Sequence, residues 1–287
     1  MAFWTHTIWY ILLVMISATV LIVALVKSRN RKRDFAFFFA ILGSTYIIEL
    51  FLLVVLNGYA YHPLITPNDP FADSVAGNYF SQTSISSTAL LICVLNLSAK
   101  WRMGFSVAYF FTGLLFVYLG IYEEYWYKSV YTLVGFFIYS GFIKMWYKKI
   151  ASSDRFIYYV TLLLSVFAAG ANSLIALFRY LHIRQLSMGI YEQTTRDHSA
   201  ATFIYAPVLS VIIIALYKWK AHWGIKILVF FGLLILEYGL FKSGVFIIKR
   251  GWFSVVAVTD LLGCYFCTAV LDRFLRHRKT SSYLDIR

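Results

Sequence analysis

Three carboxylic acids fall inside stretches of the chain that are otherwise apolar: Glu49, Glu237 and Asp260. An Asp at the centre of a membrane helix costs at least about 2.5–3.5 kcal/mol, so a retained acid binds something, moves a proton or is held by a partner. Glu49 lies deepest in its stretch, and Tyr46, Leu53 and Asn57 share its face by helical spacing. It suits an ion or proton site, or a protonated carboxyl hydrogen-bonded to a neighbouring helix. Asp260 shares a face with Cys264 and Cys267. A carboxylate and two thiols are metal-ligand types. No fourth ligand lies nearby, however, and the better reading is two cysteines packing while Asp260 pairs elsewhere. No metal and no cofactor are expected. Glu237 is read as one turn from the outer surface, paired with Lys242.

A polar run, Ser81, Gln82, Thr83, Ser84, Ser86, Ser87 and Thr88, opens another stretch, and Gln82, Ser86, Ala89, Cys93 and Asn96 form one stripe at helical spacing. Small and hydroxyl residues join membrane helices, and they line a wet cavity equally well. Glu49, Gln82, Asn96 and Asp260 are therefore the candidate residues for binding an ion or small substrate. Ala168 to Ser173 reads as a packing segment. Pro207 should kink its helix and free a backbone carbonyl one to two turns from the outer end.

Catalytic motifs are missing. The histidines (His6, His62, His182, His198, His222, His277) are never mid-stretch and never spaced as His-x-x-x-His. There is no Gly-x-Ser-x-Gly, no phosphate-binding loop and no clustered Asp motif. The reading leans away from an enzyme. A lipid-modifying activity on Glu123, Glu124 and Asp197 ranks last.

The elements that position these residues follow from composition. Apolar residues are 61% of the 287 and charged residues 14%, against about 45–50% and about 25% in soluble domains. With 20% aromatics and three cysteines, neither disorder nor a disulfide scaffold fits. The expected fold is an all-α integral membrane protein, a single transmembrane domain over residues 1–287 forming a polytopic helix bundle. About nine spans of roughly 20 residues are expected: Met1–Val26, Phe35–Asn57, Ser81–Ala99, Gly104–Ile121, Ser129–Trp146, Phe156–Phe178, Ala200–Tyr217, Gly224–Phe241 and Trp252–Leu271.

The net charge of +13 then becomes an instruction for orientation rather than a sign of nucleic acid. Most Lys and Arg fall in alternate connections, beginning with Lys27 to Arg33 and ending with Arg273 to Arg287, while Asp69, Asp73, Glu123, Glu124, Glu192 and Asp197 fall in the others. Basic residues are retained on the cytoplasmic side, which sets the N-terminus outside and the C-terminus inside. The basic inner loops and the tail (Arg273, Arg276, Arg278, Lys279) would meet anionic lipid headgroups. Trp4, Trp101, Trp126, Trp146, Trp219, Trp223 and Trp252 fall at span ends as an interfacial belt.

The longest loops, Gly58–Phe80 and Arg179–Ser199, both follow an outward helix. Spans 2–5 and 6–9 thus share a layout, a parallel 4+4 repeat (34–149 and 154–276) plus one extra N-terminal helix. An offset of 120 residues pairs Asp34 with Asp154 and Gly104 with Gly224; a rival offset pairs Glu124-Tyr125 with Glu237-Tyr238.

The rival offset carries a resemblance. Glu237-Tyr238-x-Leu240-x-Lys242, then Lys249-Arg250-Gly251-Trp252, then an apolar stretch ending in Asp272-Arg273-Phe274, resembles the C-terminal signature of an uncharacterised family of small multi-span membrane proteins from spore-forming Gram-positive bacteria. The family pattern is Glu-Tyr-Trp, a short basic stretch, and Gly-Trp before the last helix. Tyr122 to Lys128 resembles a variant of it. Here Gly239 stands where the family has Trp, the linker is shorter, and the chain is nearly twice the usual length. The resemblance implies a bacterial cytoplasmic membrane and a duplication.

Two functions remain in view. One is transport or permeation of an ion or small solute through an intramembrane carboxylate. The other is a non-catalytic scaffold or accessory subunit, tied by the resemblance to sporulation, whose outer loops dock a protein partner or a second copy.

Overall fold

Apolar stretches of this length satisfy their backbone only as helices, and the computed structural model, which describes residues 3–151, 154–220 and 222–276, shows nine helical rods among the described residues. In chain order these are α1 (Ile8–Lys27), α2 (Arg31–Glu49) continued by a π-helical turn (Leu50–Val55), α3 (Pro70–Val94), α4 (Ala99–Tyr118), α5 (Ser129–Ala151), α6 (Arg155–Val166) continued through a π-helical turn (Phe167–Asn172) into α7 (Ser173–Tyr180), α8 (Thr194–Lys218), α9 (Trp223–Lys242) and α10 (Phe253–Leu275). Six of the rods are long and apolar enough to cross a membrane; the rods of α3, α4 and α5 are as long but more polar. Four short strands pair antiparallel: β1 (Tyr59–Tyr61) with β2 (Tyr122–Glu124), and β3 (Arg184–Leu186) with β4 (Phe246–Ile248). Both ribbons lie at the same end of the rods. The Lys- and Arg-rich connections lie at the other.

Element bounds recur at one spacing. Arg31 and Arg155, Pro70 and Thr194, Ala99 and Trp223, and Ser129 and Phe253 open equivalent helices 124 residues apart. Gly120 and Gly244 keep the same spacing and turn each chain into its ribbon at φ of 69° and 82°, a backbone that glycine adopts without cost. This spacing of element bounds differs from both the 120-residue offset and the rival one. Glu124 ends a strand while Glu237 lies within α9, so the two signature-like stretches do not occupy equivalent places.

Several helices start earlier than hydropathy indicates, α3 and α8 by the most. α3 begins at Pro70, not Ser81, because Asp69 accepts from Ala72 N (3.1 Å) and Pro70 is preset for a first turn. α8 begins at Thr194, not Ala200. Pro207 consequently lies at mid-helix rather than near the outer end, inside an unbroken helical span. α3 ends at Val94, and Asn96 follows it exposed at φ 50°, a left-handed conformation that Asn tolerates. Asn96 is thus a helix terminator and not part of an intramembrane stripe.

The core gathers Phe37, Ile41, Leu90, Phe167, Ala168 and Leu261 from α2, α3, the α6–α7 rod and α10. α1 and α9 sit at the rim, with few of their residues covered. α2 packs on α6 so closely that a Cβ on Gly43 would overlap the Leu164 carbonyl. Gly43→Val is expected to cost about 1–3 kcal/mol, read as a lowered Tm of the purified protein in detergent. An unchanged Tm would show that α2 and α6 do not meet there.

Candidate functional site

Glu49 ends the regular part of α2, where the π-helical turn widens the rod, a feature common at functional sites. Its side chain is buried. Gln82 Nε2 donates to Glu49 Oε1 at 2.8 Å and to Asn78 Oδ1 at 3.0 Å. The Tyr59 hydroxyl, brought down from the ribbon by β1, donates to Glu49 Oε2. Burial, and then the Glu49 charge beside it, push the Tyr59 hydroxyl well above its ordinary value, so it stays a donor. Three cavities meet at this carboxyl. One of about 100 Å³ is lined by Tyr59, Tyr61, Tyr109, Tyr122 and Tyr127. One of about 60 Å³ reaches Asn172 and His198 of the second half. One of about 250 Å³ runs toward Thr132 and Tyr139 of α5.

The other buried acids are occupied differently. Asp34 accepts from Ser28 Oγ (2.6 Å), Arg33 Nε (3.0 Å) and the Tyr147 hydroxyl (2.9 Å). Asp272 takes Lys218, the Tyr158 hydroxyl and Arg276 Nε (2.8 Å). Asp34 and Tyr158 stand at the same place in α2 and α6, so the two halves close their basic ends with carboxylate and phenol exchanged. Asp73 accepts from the backbone N–H of Leu64, Ile65 and Thr66, and Asp197 from those of Met188, Gly189, Ile190 and Tyr191. These two acids shape the loops before α3 and α8. Glu124 caps α5 through Ser129 N (2.6 Å). The outer acids suggested for a lipid-modifying enzyme thus include two that hold backbone.

Asp260 is ion-paired with Arg184, both of them fully buried. It does not reach Glu49. Cys264 and Cys267 pack against the π-helical turn, Cys264 Sγ close to Gly170 and Cys267 Sγ 4.0 Å from Ala169 O. Glu237 is buried, five residues before the end of α9, and its partner is the Tyr205 hydroxyl at 2.8 Å rather than Lys242. Lys242 instead lies 5.4 Å from the Tyr238 ring. Of the four candidate residues, then, the structure joins Glu49 with Gln82, sets Asp260 in a second cluster and leaves Asn96 outside both.

Sequence reasoning missed Arg184, Tyr59 and Asn78. Arg184 falls within the long loop Arg179–Ser199 by hydropathy, yet its side chain is fully covered, and its Nε and Nη2 lack protein partners. The signal that finds it is the second ribbon, since β3 places Arg184 where β1 places Tyr59: Tyr59 pairs with Glu124 and Arg184 with Ile248.

Among the described residues, every buried carboxylate with a Lys or Arg partner is an Asp. Glu49 and Glu237 have only neutral partners. Glu49 alone of these two borders the cavities described. The chain matches no known family model, no curated protein and no solved structure.

Proposed function

We propose that this chain is a bacterial cytoplasmic-membrane protein that moves a small cation through the membrane, with Glu49 as the binding carboxylate and Gln82, Asn78 and Tyr59 as the groups that orient it. The observation that carries the reading is the burial of Glu49 at the junction of three cavities, with no Lys or Arg pairing with it among the described residues. A carboxylate in a low-dielectric site takes a cation or a proton. On this reading all nine rods cross the bilayer. α3 is polar because it faces the cation path, not lipid. The ribbon end lies outside, and the end carrying Lys27, Arg31, Lys100, Lys148, Lys218 and Arg273 lies inside, against anionic headgroups. Arg278 and Lys279 of the tail lie outside the described residues. The recurring offset supports two parallel four-helix halves with α1 as an addition.

Flux into proteoliposomes tests it. The wild-type protein should carry at least one of H⁺, K⁺ and methylammonium down an imposed gradient. Glu49→Gln removes the charge but keeps the Tyr59 and Gln82 geometry. Loss of one charged hydrogen-bonding group, about 1.5–3 kcal/mol, should lower that flux about 10–100-fold. Flux equal to wild type in the variant would overturn the reading. Absence of any flux in the wild type would leave a scaffold as the better account.

A further inference from the structure

The two halves build the same frame and fill it differently. In the second half, the space beneath the ribbon holds the Arg184 guanidinium, which pairs with Asp260 and lies 5.3 Å from the Phe178 ring and 5.9 Å from the Phe246 ring. Beside it stand Glu237 and Tyr205. By the 124-residue offset of the helices and of β2 and β4, the first half has Gly113 in place of Glu237, Ser81 in place of Tyr205 and Tyr122 in place of Phe246; by strand register, one residue out of that offset, it has Tyr59, opposite Glu124, in place of Arg184, opposite Ile248. All four line the cavity of about 100 Å³ that Glu49 borders. Where the second half has an arginine, an acid and a large ring, the first has a neutral phenol, no side chain and a small hydroxyl.

The chemistry of the walls is retained. The first half keeps a buried carboxylate, now Glu49 from α2, and replaces Phe246 by a set of phenols. Ring centroids of Tyr61 and Tyr122 lie 4.9 Å apart, those of Tyr59 and Tyr122 5.4 Å, and those of Tyr59 and Tyr127 5.5 Å. Aromatic faces attract a desolvated cation, and a planar guanidinium both stacks on rings and pairs with carboxylate. The volume separates a molecular cation from a bare one. A single water needs only about 10–15 Å³ of such space, and the cavity of about 100 Å³ holds a group several heavy atoms across.

We infer that the Glu49 cavity binds a small organic cation with a guanidinium or alkylammonium head, the group that Arg184 supplies internally in the second half. The inference rests on the cation-transport reading of Glu49 and names its substrate class.

Titration calorimetry on the full-length protein in detergent tests it, with guanidinium, methylammonium and K⁺ as chlorides. Guanidinium or methylammonium should bind at least about tenfold more tightly than K⁺, as desolvated cation–π contacts imply. Glu49→Gln should lose that binding. Tyr59→Arg, which places an internal cation where the second half has one, should keep a wild-type Tm and bind neither organic cation. Wild-type affinity for guanidinium in Tyr59→Arg would overturn the inference, as would K⁺ binding equal to that of both organic cations. Glu49-dependent K⁺ flux without organic-cation preference would overturn this substrate class alone. Flux independent of Glu49 would overturn the transport reading as well.

Discussion

Asp260→Leu is expected to destabilise the protein by about 3–5 kcal/mol, because it strands a fully buried guanidinium. Arg184 has no solvent to turn to, and its Nε and Nη2 are already without protein partners. The double variant Arg184→Met, Asp260→Leu removes both charges and leaves apolar side chains among Phe178, Phe246 and Cys264. It should recover most of the loss, since replacing a buried pair with packed apolar groups is often neutral or better. Reversible unfolding in mixed micelles, compared across the two single variants and the double, gives the coupling. A double variant no more stable than Asp260→Leu alone would show that the pair is not what the second half depends on. Glu237 lies near enough to feel the Asp260 charge, so Glu237→Gln should cost far less than Asp260→Leu. It loses no cationic partner and keeps an acceptor for Tyr205.

The second large effect is at Asp197. Its two oxygens accept from Ser187 Oγ (2.8 Å) and from the N–H of Met188 (2.9 Å), Gly189 (3.1 Å), Ile190 (2.7 Å) and Tyr191 (3.3 Å). One carboxylate therefore organises the whole loop ahead of α8. Asp197→Ala leaves four backbone donors to find water or go without, each worth about 1–3 kcal/mol when buried. Amide hydrogen exchange should rise about 100-fold or more across residues 188–191, with little change at the basic end. Asp197→Asn presents an N–H₂ where an oxygen accepted, so it should restore only part of the protection. Exchange unchanged in Asp197→Ala would mean the loop is held by other contacts.

The sequence reading located long helices because hydropathy marks apolar stretches directly. Ser129 opens α5 as expected, and Trp223 and Phe253 open α9 and α10 within a residue of expectation. It failed where helices begin with polar turns. Asp69-Pro70 and Thr194 to Asp197 start α3 and α8 in residues that a hydropathy window assigns to loops. The signal at such starts is capping chemistry, such as Asp69 before Pro70, which apolar length does not register. The site was legible in part. Glu49 and Gln82 were found as polar exceptions in apolar stretches, and they do meet at 2.8 Å. Asp260 was found the same way, but its partner lies 76 residues earlier in a short strand, a distance no local periodicity spans. Tyr59 was invisible for another reason. A phenol near a helix end reads as part of the interfacial belt, and only the β1–β2 ribbon turns it inward onto Glu49.

The contacts between the halves have the pattern of a symmetric dimer. α2 meets α6, its counterpart, and α3 meets α8, its counterpart, while α5 touches α6 as α10 touches α2. Two separate chains associating this way would need the same residues on both sides, since self-association reads one surface twice. The short link from Ala151 to Arg155 removes that requirement. It converts association into an intramolecular event at high effective concentration, and it lets the two sides diverge without losing each other. On the proposed reading of two halves, the buried Arg184 is confined to one of them. On that reading the tether therefore does more than hold the bundle together: it permits one half to carry a buried Arg184–Asp260 pair while the other keeps a cavity beside Glu49.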